Sequence, residues 1–398
     1  MQTTVTSFFR PASKRKQTDE PFLPSKLTKR DTIMQDEQLT VVSLFCGAGG
    51  MDLGFVNAGF NIVYAVDNDK DAVETYRKNI GGYAVRRDVA SLRSGELPAR
   101  CSVLIGGPPC QGFSIGGNMD ARDERNLLVW QFARLVEQLR PPVFVMENVT
   151  ALATHKRWHE LRSALLHKFE GLGYTVTVLL LNARHYGVAQ SRERAFFIGT
   201  ASHLNPITEV PPLDPSTPTV YDVLKDLPPP GSSPNLGPCK AKITLAKQPD
   251  LRKSPYSGHI FNGGGRPVNI HAPINTLLAS MGGNKTPILD ERALRTGRPS
   301  WFEHLHRRLL KNECPAENET VPSFIRRLSV TEASLLQSFP LTFCFMGAQS
   351  SQFRQIGNAV PPKLAQSIAS AVLSALQSSN NKKSLLATNE TSASRTNT

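Results

Sequence analysis

The chain has 398 residues, 40% of them hydrophobic, which is enough to bury the core of one large domain and a smaller one. Lysine and arginine outnumber aspartate and glutamate by 46 to 33, and the net charge of +13 favours a polyanionic partner, nucleic acid before a membrane surface. No apolar window of about 18 residues and no apolar N-terminal region are found, so neither a transmembrane helix nor a secretory signal is predicted.

The first half of the chain alternates strand-like and helix-like segments. Strands are predicted at 39–45, 62–66, 102–106, 142–146 and 175–180, and helices at 51–59 and near 69–79, 126–139 and 156–170. This alternation predicts an α/β fold with a doubly wound, mostly parallel sheet of the Rossmann-like type. Such sheets bind ligands at the carboxyl ends of their strands, where the notable loops of this chain lie.

The pattern changes after about residue 200. Ten prolines fall within 206–238, and 239–311 carries 13 Lys/Arg against 4 Asp/Glu, which predicts a smaller, irregular, basic domain. Helical signals return at 329–338 and 361–377. The predicted organisation is a disordered tail at 1–39, a large α/β domain at 40–200, the smaller domain at 201–325, a part that returns to the α/β domain at 326–378, and a disordered tail at 379–398.

A glycine-rich loop, Phe45-Cys-Gly-Ala-Gly-Gly50, follows the first strand. Its glycines let a ligand approach the backbone, and the next helix offers its N-terminal N–H groups. A dinucleotide fingerprint would need a glycine at Asp52, so the pattern indicates a nucleotide-like cofactor loop without pyrophosphate spacing. Asp67, which ends the second strand, is placed to accept hydrogen bonds from ribose hydroxyls, and the alternative is an ordinary helix cap.

Cys110 lies in the loop GGPPCQGFS at 106–114, where a stiff Pro-Pro turn presents its thiol to a substrate. A free thiol has a pKa of about 8.5 and needs help to ionise, for which Arg192 and Arg194 are candidates. The six cysteines form no C-x-x-C pair, which predicts reduced thiols in an intracellular protein and no metal site.

Two further polar groups follow or precede strands. Glu147 directly follows a strand and is a candidate acid or hydrogen-bond partner, although a surface or capping glutamate is the alternative. Alternation along an extended segment places Gln190, Arg192 and Arg194 on one face, where they could grip a base carbonyl or phosphates. The alternative for these three is a solvated strand start.

Taken in order, these motifs resemble those of the DNA cytosine-5 methyltransferases. The matching segments are SLFCGAGG (43–50), Asp67, Asp88, GGPPCQGFS (106–114), RNLL (125–128), ENV (147–149), QSRER (190–194), RRLSVTEASLLQSFP (326–340) and RQIGNAVPP (354–362). The resemblance covers roughly 40–375 and implies an S-adenosylmethionine-dependent methyltransferase fold, with the irregular segment as target recognition domain.

The resemblance also implies a role for each matched position. Residues lining the S-adenosylmethionine pocket would be Phe45, Gly47, Ala48, Gly49, Asp67, Asp88, Gly107, Pro109, Leu127 and Asn358. The catalytic group would be Cys110 as nucleophile, Glu147 holding the flipped cytosine, and Arg192 and Arg194 supporting both. DNA contacts would come from Gln111, Ser114, Gln190, Thr276 and Leu277. The chain departs from the family at Asp67, where glutamate is more usual, and at Asn68, where many relatives carry an aromatic that stacks on adenine.

The implied activity is methyl transfer from S-adenosylmethionine to carbon 5 of a flipped-out cytosine in double-stranded DNA through a covalent Cys110 adduct, in restriction-modification or epigenetic methylation. A tRNA cytosine-5 methyltransferase and a catalytically silent DNA-binding adaptor are the alternatives. We expect a monomer with no membrane partner.

The N-terminal segment resembles a sliding-clamp (PCNA) interacting peptide. Its matching positions are Gln2, Val5, Phe8 and Phe9, and one short helical turn would project the last three as an apolar plug. An inert tail is the alternative. With the KRK run at 14–16 the peptide predicts a nuclear protein in a eukaryotic host, and otherwise one in the cytoplasm or nucleoid.

Overall fold

The computed structural model describes residues 38–109, 127–237, 239–313 and 320–393, with side chains up to residue 378 except those of Ser94 and Leu127. Its strands, in chain order, are β1 Thr40–Leu44, β2 Asn61–Asp67, β3 Ala84–Arg86, β4 Val103–Gly106, β5 Val143–Val149, β6 Tyr174–Asn182, β7 Gln190–Ser191, β8 Glu193–Ala201, β9 Leu245–Asp250, β10 His259–Phe261, β11 Ile274–Asn275, β12 Ile288–Asp290 and β13 Ile325–Arg327. The α-helices are α1 Gly50–Asn57, α2 Lys70–Asn79, α3 Leu127–Leu139, α4 Thr150–Thr154, α5 His159–Gly171, α6 Val220–Leu224, α7 Glu291–Thr296, α8 Trp301–Leu310, α9 Val330–Leu336, α10 Gln349–Asn358 and α11 Pro362–Ala393.

Seven of these strands form one sheet in the order β3-β2-β1-β4-β5-β8-β6. Neighbours from β3 to β5 pair in parallel, and β8 pairs antiparallel with both β5 and β6. This confirms the predicted doubly wound, mostly parallel sheet. The strand order reverses between β1 and β4, so a crevice is expected beyond the carboxyl ends of these two strands.

Helices cover both faces of the sheet, because alternate residues of each buried strand point to opposite sides. Val41, Ile105 and Val145 share one apolar cluster with residues of α1 and α11. Val42, Leu104 and Phe144 share the other with residues of α3 and α5. The approach of α1 to α11 is close: a Cβ at Gly54 would lie 2.5 Å from the Cβ of Ala365.

The starts of several helices are set by local side chains. Asp69 precedes α2 and accepts hydrogen bonds from the backbone N–H groups of Asp71 and Ala72. Before α9, the Ser329 hydroxyl accepts from the N–H of Glu332 at 3.0 Å, and the Glu332 carboxylate accepts from the N–H of Ser329 at 2.8 Å. These caps fix where the chain turns beside the sheet.

The segment between β8 and α9 contains short strands and the three helices α6, α7 and α8, joined by long irregular stretches. β9 and β10 form an antiparallel pair, as do β12 and β13, and Phe261 and Phe302 belong to a small apolar cluster there. A larger cluster joins Val220 and Leu289 to Leu336 and Phe353. This cluster crosses the boundary predicted at 325–326, so the two sides of that boundary share a core.

The last helix is longer than the sequence predicts. Composition predicts a helix at 361–377 and a disordered tail at 379–398, whereas α11 continues to Ala393. The Lys, Leu and Ala residues of 382–387 favour helix and continue the backbone ladder despite their polar neighbours. In the ranges that the structure describes, no helix is long and apolar enough to cross a membrane.

Candidate active site

Four sheet strands reach the crevice with one row of aligned residues, and β2 and β5 continue past this row to Asp67 and Val149. The register pairs Leu44 with Val66 and with Gly106, and Gly106 with Met146. One residue beyond this row stand Phe45, Asp67, Gly107 and Glu147. The sheet therefore gathers two predicted cofactor loops, the start of the thiol loop and the predicted cytosine-binding carboxylate at one edge.

The loop after β1 is held in a conformation that favours glycine. Gly47 and Gly49 have φ values of 53° and 89°, and the non-glycine Phe45 has a φ of 52°. A Cβ at Gly49 would lie 2.1 Å from Cδ1 of Ile80, whereas at Gly47 nothing lies within 4 Å. The backbone at Gly47 is thus open to a ligand, while Gly49 lets the loop pack against α2. Ala48 is buried.

Asp67 ties this loop to the neighbouring strand. One carboxylate oxygen accepts a hydrogen bond from the N–H of Gly47 at 2.9 Å, and the other accepts from the N–H of Asp69 at 2.9 Å. Burial raises the pKa of Asp67, and the two N–H donors lower it. Asp88 is exposed beyond β3 and accepts from the N–H of Ala90. Both predicted cofactor carboxylates are therefore near the ends of adjacent strands.

Glu147 lies at the other side of the crevice, with 9% of its surface exposed. Its Oε1 atom is 3.2 Å from Nε of Arg194 on β8. Burial raises the pKa of Glu147, while the charges of Arg194 and Arg192 lower it. A buried carboxyl held by a cation can serve as a hydrogen-bond partner for a polar ring.

The start of the thiol loop contacts this carboxylate. A Cβ at Gly107 would lie 3.1 Å from Oε2 of Glu147, and Nδ2 of Asn148 donates to the carbonyl of Pro108 at 3.2 Å. Pro109 is exposed at the end of this segment. Three predicted residues of the loop itself, Cys110, Gln111 and Ser114, lie outside the described residues. So do the predicted clamp-binding residues Gln2, Val5, Phe8 and Phe9, and the side chain of Leu127.

Arg192 joins three distant parts of the chain. It is buried, and its guanidinium donates to the carbonyl of Leu277 at 3.3 Å and to that of Asn358 at 3.4 Å. Asn358 ends α10 and is itself exposed at the edge of the site. The structure thus brings the segment around Leu277 and the C-terminal end of α10 to the same arginine.

Gln190, Thr276 and Leu277, predicted to contact DNA, instead form internal contacts. The N–H of Leu277 donates to Oε1 of Gln190 at 2.9 Å, and the Thr276 hydroxyl donates to the carbonyl of Ser191 at 2.8 Å. Gln190 and Leu277 are buried, so a direct contact with DNA would require this part to open. Their neighbours in space come from distant sequence, so neither the alternation around Gln190 nor the family resemblance of Thr276 and Leu277 indicated these contacts.

Two side chains at the site were missed by sequence reasoning. Gln337 receives a hydrogen bond from Nε2 of Gln190 and donates to the carbonyl of Ala359 at 2.6 Å. Asp52 is buried in the first turn of α1, where the Tyr76 hydroxyl donates to it at 2.8 Å and burial raises its pKa to about 6. A carboxylate within the otherwise apolar run GMDLGF was the available signal for Asp52.

Comparison with known sequences decides the family. The sequence model of the C-5 cytosine-specific DNA methylases matches residues 39–374. The chain belongs to this family. As a family member it is a DNA cytosine-5 methyltransferase. In the described ranges no group of side chains forms a metal site.

The curated relatives of this methyltransferase include type II methyltransferases. It is 35% identical over 348 residues to the type II methyltransferase M1.HphI of Haemophilus parahaemolyticus, covering 84% of this chain and 87% of the relative. It is 32% identical over 371 residues to M.DdeI of Desulfomicrobium norvegicum, covering 84% and 88%.

The fold is shared with solved methyltransferase structures. The Dnmt2 methyltransferase of S. pombe aligns with a TM-score of 0.59 at 18% identity, over 85% of this chain and 99% of that one. The methyltransferase EhMeth of Entamoeba histolytica aligns with a TM-score of 0.62 at 14% identity, over 85% and 99%. At these identities the likeness concerns the fold alone.

Proposed function

We propose that this methyltransferase transfers a methyl group from S-adenosylmethionine to carbon 5 of a flipped-out cytosine in double-stranded DNA, through a covalent adduct with Cys110. The observation that carries the proposal is the Glu147–Arg194 pair, which lies against Gly107 three residues before the cysteine. A nucleophile alone would be inert toward cytosine. A buried carboxyl next to its loop supplies the hydrogen bond that activates the ring.

The loop after β1 fits the cofactor. The open space at Gly47 leaves room for a nucleoside and its amino-acid tail, and the carboxylates of Asp67 and the exposed Asp88 offer hydrogen-bond acceptors to it. When bound, S-adenosylmethionine supplies an electrophilic methyl group on a sulfonium. The half-buried Phe45 borders this space, and the exposed Asn68 provides no aromatic face there. We therefore expect the adenine to be stacked on one side only.

The chain's own residues account for the remaining steps. The Cys110 thiolate forms a bond to carbon 6, and the ring electrons shift so that carbon 5 becomes nucleophilic. The Glu147 carboxyl, whose pKa is raised by burial, donates its proton in a hydrogen bond to N3 as negative charge develops there. Carbon 5 would then take the methyl group, with S-adenosylhomocysteine as the leaving group, and would lose its proton to water. The sulfur–carbon 6 bond breaks with its electrons returning to sulfur, which restores the ring and the Cys110 thiolate. Arg194 holds Glu147 in place throughout.

The energetic cost of base flipping explains why the chain would carry a net charge of +13. The target atoms are inaccessible within a duplex, and extruding a base costs a few kcal/mol. Phosphate contacts from a basic surface offset this cost. The segment 239–311, with 13 Lys/Arg against 4 Asp/Glu, is where we place those contacts.

The test is expression of the wild type and Cys110→Ser in a host that lacks cytosine methylation, followed by conversion sequencing of its DNA. Methylation of defined sites by the wild type and none by the variant is expected. Methylation that persists in Cys110→Ser would refute the adduct. Absence of methylation by soluble wild type that binds S-adenosylhomocysteine would favour the tRNA substrate instead.

We further propose that the N-terminal segment binds a sliding clamp through Gln2, Val5, Phe8 and Phe9. The support is the spacing of these residues in a polar segment that offers the two phenylalanines no core to fill. Full-length protein should be retained on immobilised eukaryotic PCNA, and Phe8→Ala/Phe9→Ala should abolish retention. Equal retention of both proteins would contradict the proposal.

A further inference from the structure

Arg327 is a buried cation that the proposed chemistry does not use. It ends β13, and 2% of its surface is exposed. Its guanidinium donates four hydrogen bonds, to the carbonyls of Thr286 at 2.7 Å, Ala241 at 3.0 Å, Lys242 at 3.2 Å and Asn284 at 3.3 Å. The rigid fork of an arginine therefore joins two backbone segments that are more than 40 residues apart in sequence.

The charge of Arg327 is not balanced by a carboxylate. The ion pairs of the described residues include the adjacent Arg326, which contacts Glu291 and Glu332, but not Arg327. Burial lowers the pKa of Arg327. A buried charge without an opposite charge is unfavourable for stability, so apolar residues of similar size would often be tolerated in its place. We therefore look for the role of Arg327 in the backbone segments that its guanidinium holds.

The held segments carry exposed lysines. Lys240 and Lys242 belong to the first segment, residues 240–242, and Lys285 belongs to the second, residues 284–286. A third segment, the glycine run 263–265, packs against the second: the N–H of Gly265 donates to the carbonyl of Asn284 at 3.0 Å. We call residues 240–242, 263–265 and 284–286 the three-segment surface.

The glycine run permits this close packing. A Cβ at Gly265 would lie 2.2 Å from the carbonyl oxygen of Thr286 and 2.6 Å from Nη1 of Arg327. A Cβ at Gly263, where φ is 84°, would lie 2.6 Å from the carbonyl oxygen of Asn284. Buried arginine and bare backbone thus leave an exposed edge that consists of main chain and lysine, which a sugar-phosphate backbone can approach.

We propose that Arg327 is a positioning residue that sets the three-segment surface so that Lys240, Lys242 and Lys285 contact DNA phosphates. The inference rests on the proposed use of double-stranded DNA, and it names the part of the basic region that binds the backbone. Each lysine that neutralises a phosphate contributes about one unit to the slope of log affinity against log salt. Misplacing the segments should lower both DNA affinity and this slope.

The test compares full-length wild type, Arg327→Lys and Arg327→Met on unmethylated linear plasmid DNA over a series of salt concentrations. We expect Arg327→Met to raise the Kd for DNA at least tenfold and to flatten the salt slope by about one unit for each of the three lysines that it displaces. Arg327→Lys should fall between them, because one ammonium cannot contact four carbonyls. Conversion sequencing should show the same sites methylated to a lower extent in both variants, because phosphate contacts carry no sequence information.

Arg140→Met is the matched control. Arg140 also donates to backbone carbonyls, those of Glu137 and Leu172, but at the end of α3 in the catalytic part. It should lose thermal stability with no change in DNA Kd or salt slope. If Arg327→Met fails to fold, Gly265→Ala takes its place, since its methyl group would displace the same segment.

The outcomes separate this inference from the proposed function. Binding of S-adenosylhomocysteine is measured for every variant and should be unchanged. Folded Arg327 variants, or folded Gly265→Ala, with wild-type DNA Kd, salt slope and extent of methylation would overturn the positioning role. Wild type that binds S-adenosylhomocysteine but no plasmid DNA would instead contradict the proposed DNA substrate, and with it the inference.

Discussion

Glu147 and Arg194 form an ion pair across two antiparallel strands, with Oε1 of the carboxylate 3.2 Å from Nε of the guanidinium. The register of β5 and β8 that makes this possible pairs Val149 with Arg194, two residues along from Glu147. Because Gly107 lies against the same carboxylate, the pair connects the sheet directly to the loop that carries Cys110. The carboxylate is therefore oriented before any substrate arrives.

Replacing Glu147 by glutamine should slow methylation without weakening cofactor binding. The amide keeps the shape of the side chain but loses the ion pair with Arg194 and cannot supply the same hydrogen bond to N3. Loss of one such group typically lowers kcat by about 10²–10³-fold. Single-turnover methylation and covalent trapping on 5-fluorocytosine DNA measure this. The control is Glu193→Gln, an exposed glutamate next to Arg194 on β8, and an equal loss in both would contradict the assigned role.

Gly49→Ala should weaken S-adenosylhomocysteine binding at least tenfold. The new Cβ would lie 2.1 Å from Ile80 at a φ of 89°, so the cofactor loop must shift. Gly59 has a similar φ of 93° but open space around it, so Gly59→Ala isolates the backbone strain, about 1 kcal/mol. Isothermal titration of both variants measures the difference. Equal affinities in the two would show that the loop tolerates displacement.

Asp52→Asn should stabilise the protein in a pH-dependent manner. Burial raises the pKa of Asp52 from 3.8 to about 6, so the folded state binds a proton that the unfolded state releases. The stabilising contribution of this protonation is fully present below pH 3.8 and is lost as pH rises through about 6. The charged form then costs about 3 kcal/mol. Denaturant unfolding should show a gain for Asp52→Asn at pH 8 that shrinks toward pH 4, and a gain independent of pH would contradict this.

Gln337→Ala should destabilise the protein and raise KM for DNA. The change leaves Nε2 of Gln190 and the carbonyl of Ala359 without a buried partner, which costs about 1–3 kcal/mol for each group. Because Gln190 also holds Leu277, the recognition segment should loosen. Thermal unfolding and steady-state kinetics measure the two effects. The control is Gln352→Ala in α10, which removes one hydrogen bond to the carbonyl of Phe345. This variant should lower stability and leave KM for DNA unchanged.

The sheet and the polar loops at its edge could be predicted because their signals are local. Apolar β-branched runs predict strands, and a parallel sheet places the residues after those strands together. Asp67, Gly107 and Glu147 were all placed at this edge from the sequence. The ion pair between Glu147 and Arg194 follows from the antiparallel pairing of β8 with β5, which the sequence did not indicate.

The buried ties between distant segments could not be predicted. Gln190 and Gln337 are 147 positions apart, and Arg192 and Leu277 are 85 apart. A polar residue in an extended segment has no local signal that distinguishes an exposed face from a buried junction. Thr276 and Leu277 were interpreted as DNA contacts because the family resemblance implied it, and in the structure they hydrogen bond to Ser191 and Gln190 of β7. For the same reason no local signal distinguishes Arg327 as a buried residue.

The contact between α1 and α11 has a consequence for biosynthesis. Leu364, Ile368 and Val372 fill the core beside Val41 of the first strand. A nascent chain that ends before α11 therefore leaves part of this face of its sheet uncovered, however complete its catalytic loops are. Folding should be completed only after the C-terminal helix leaves the ribosome, so prematurely terminated chains would be substrates for proteolysis rather than unregulated methyltransferases.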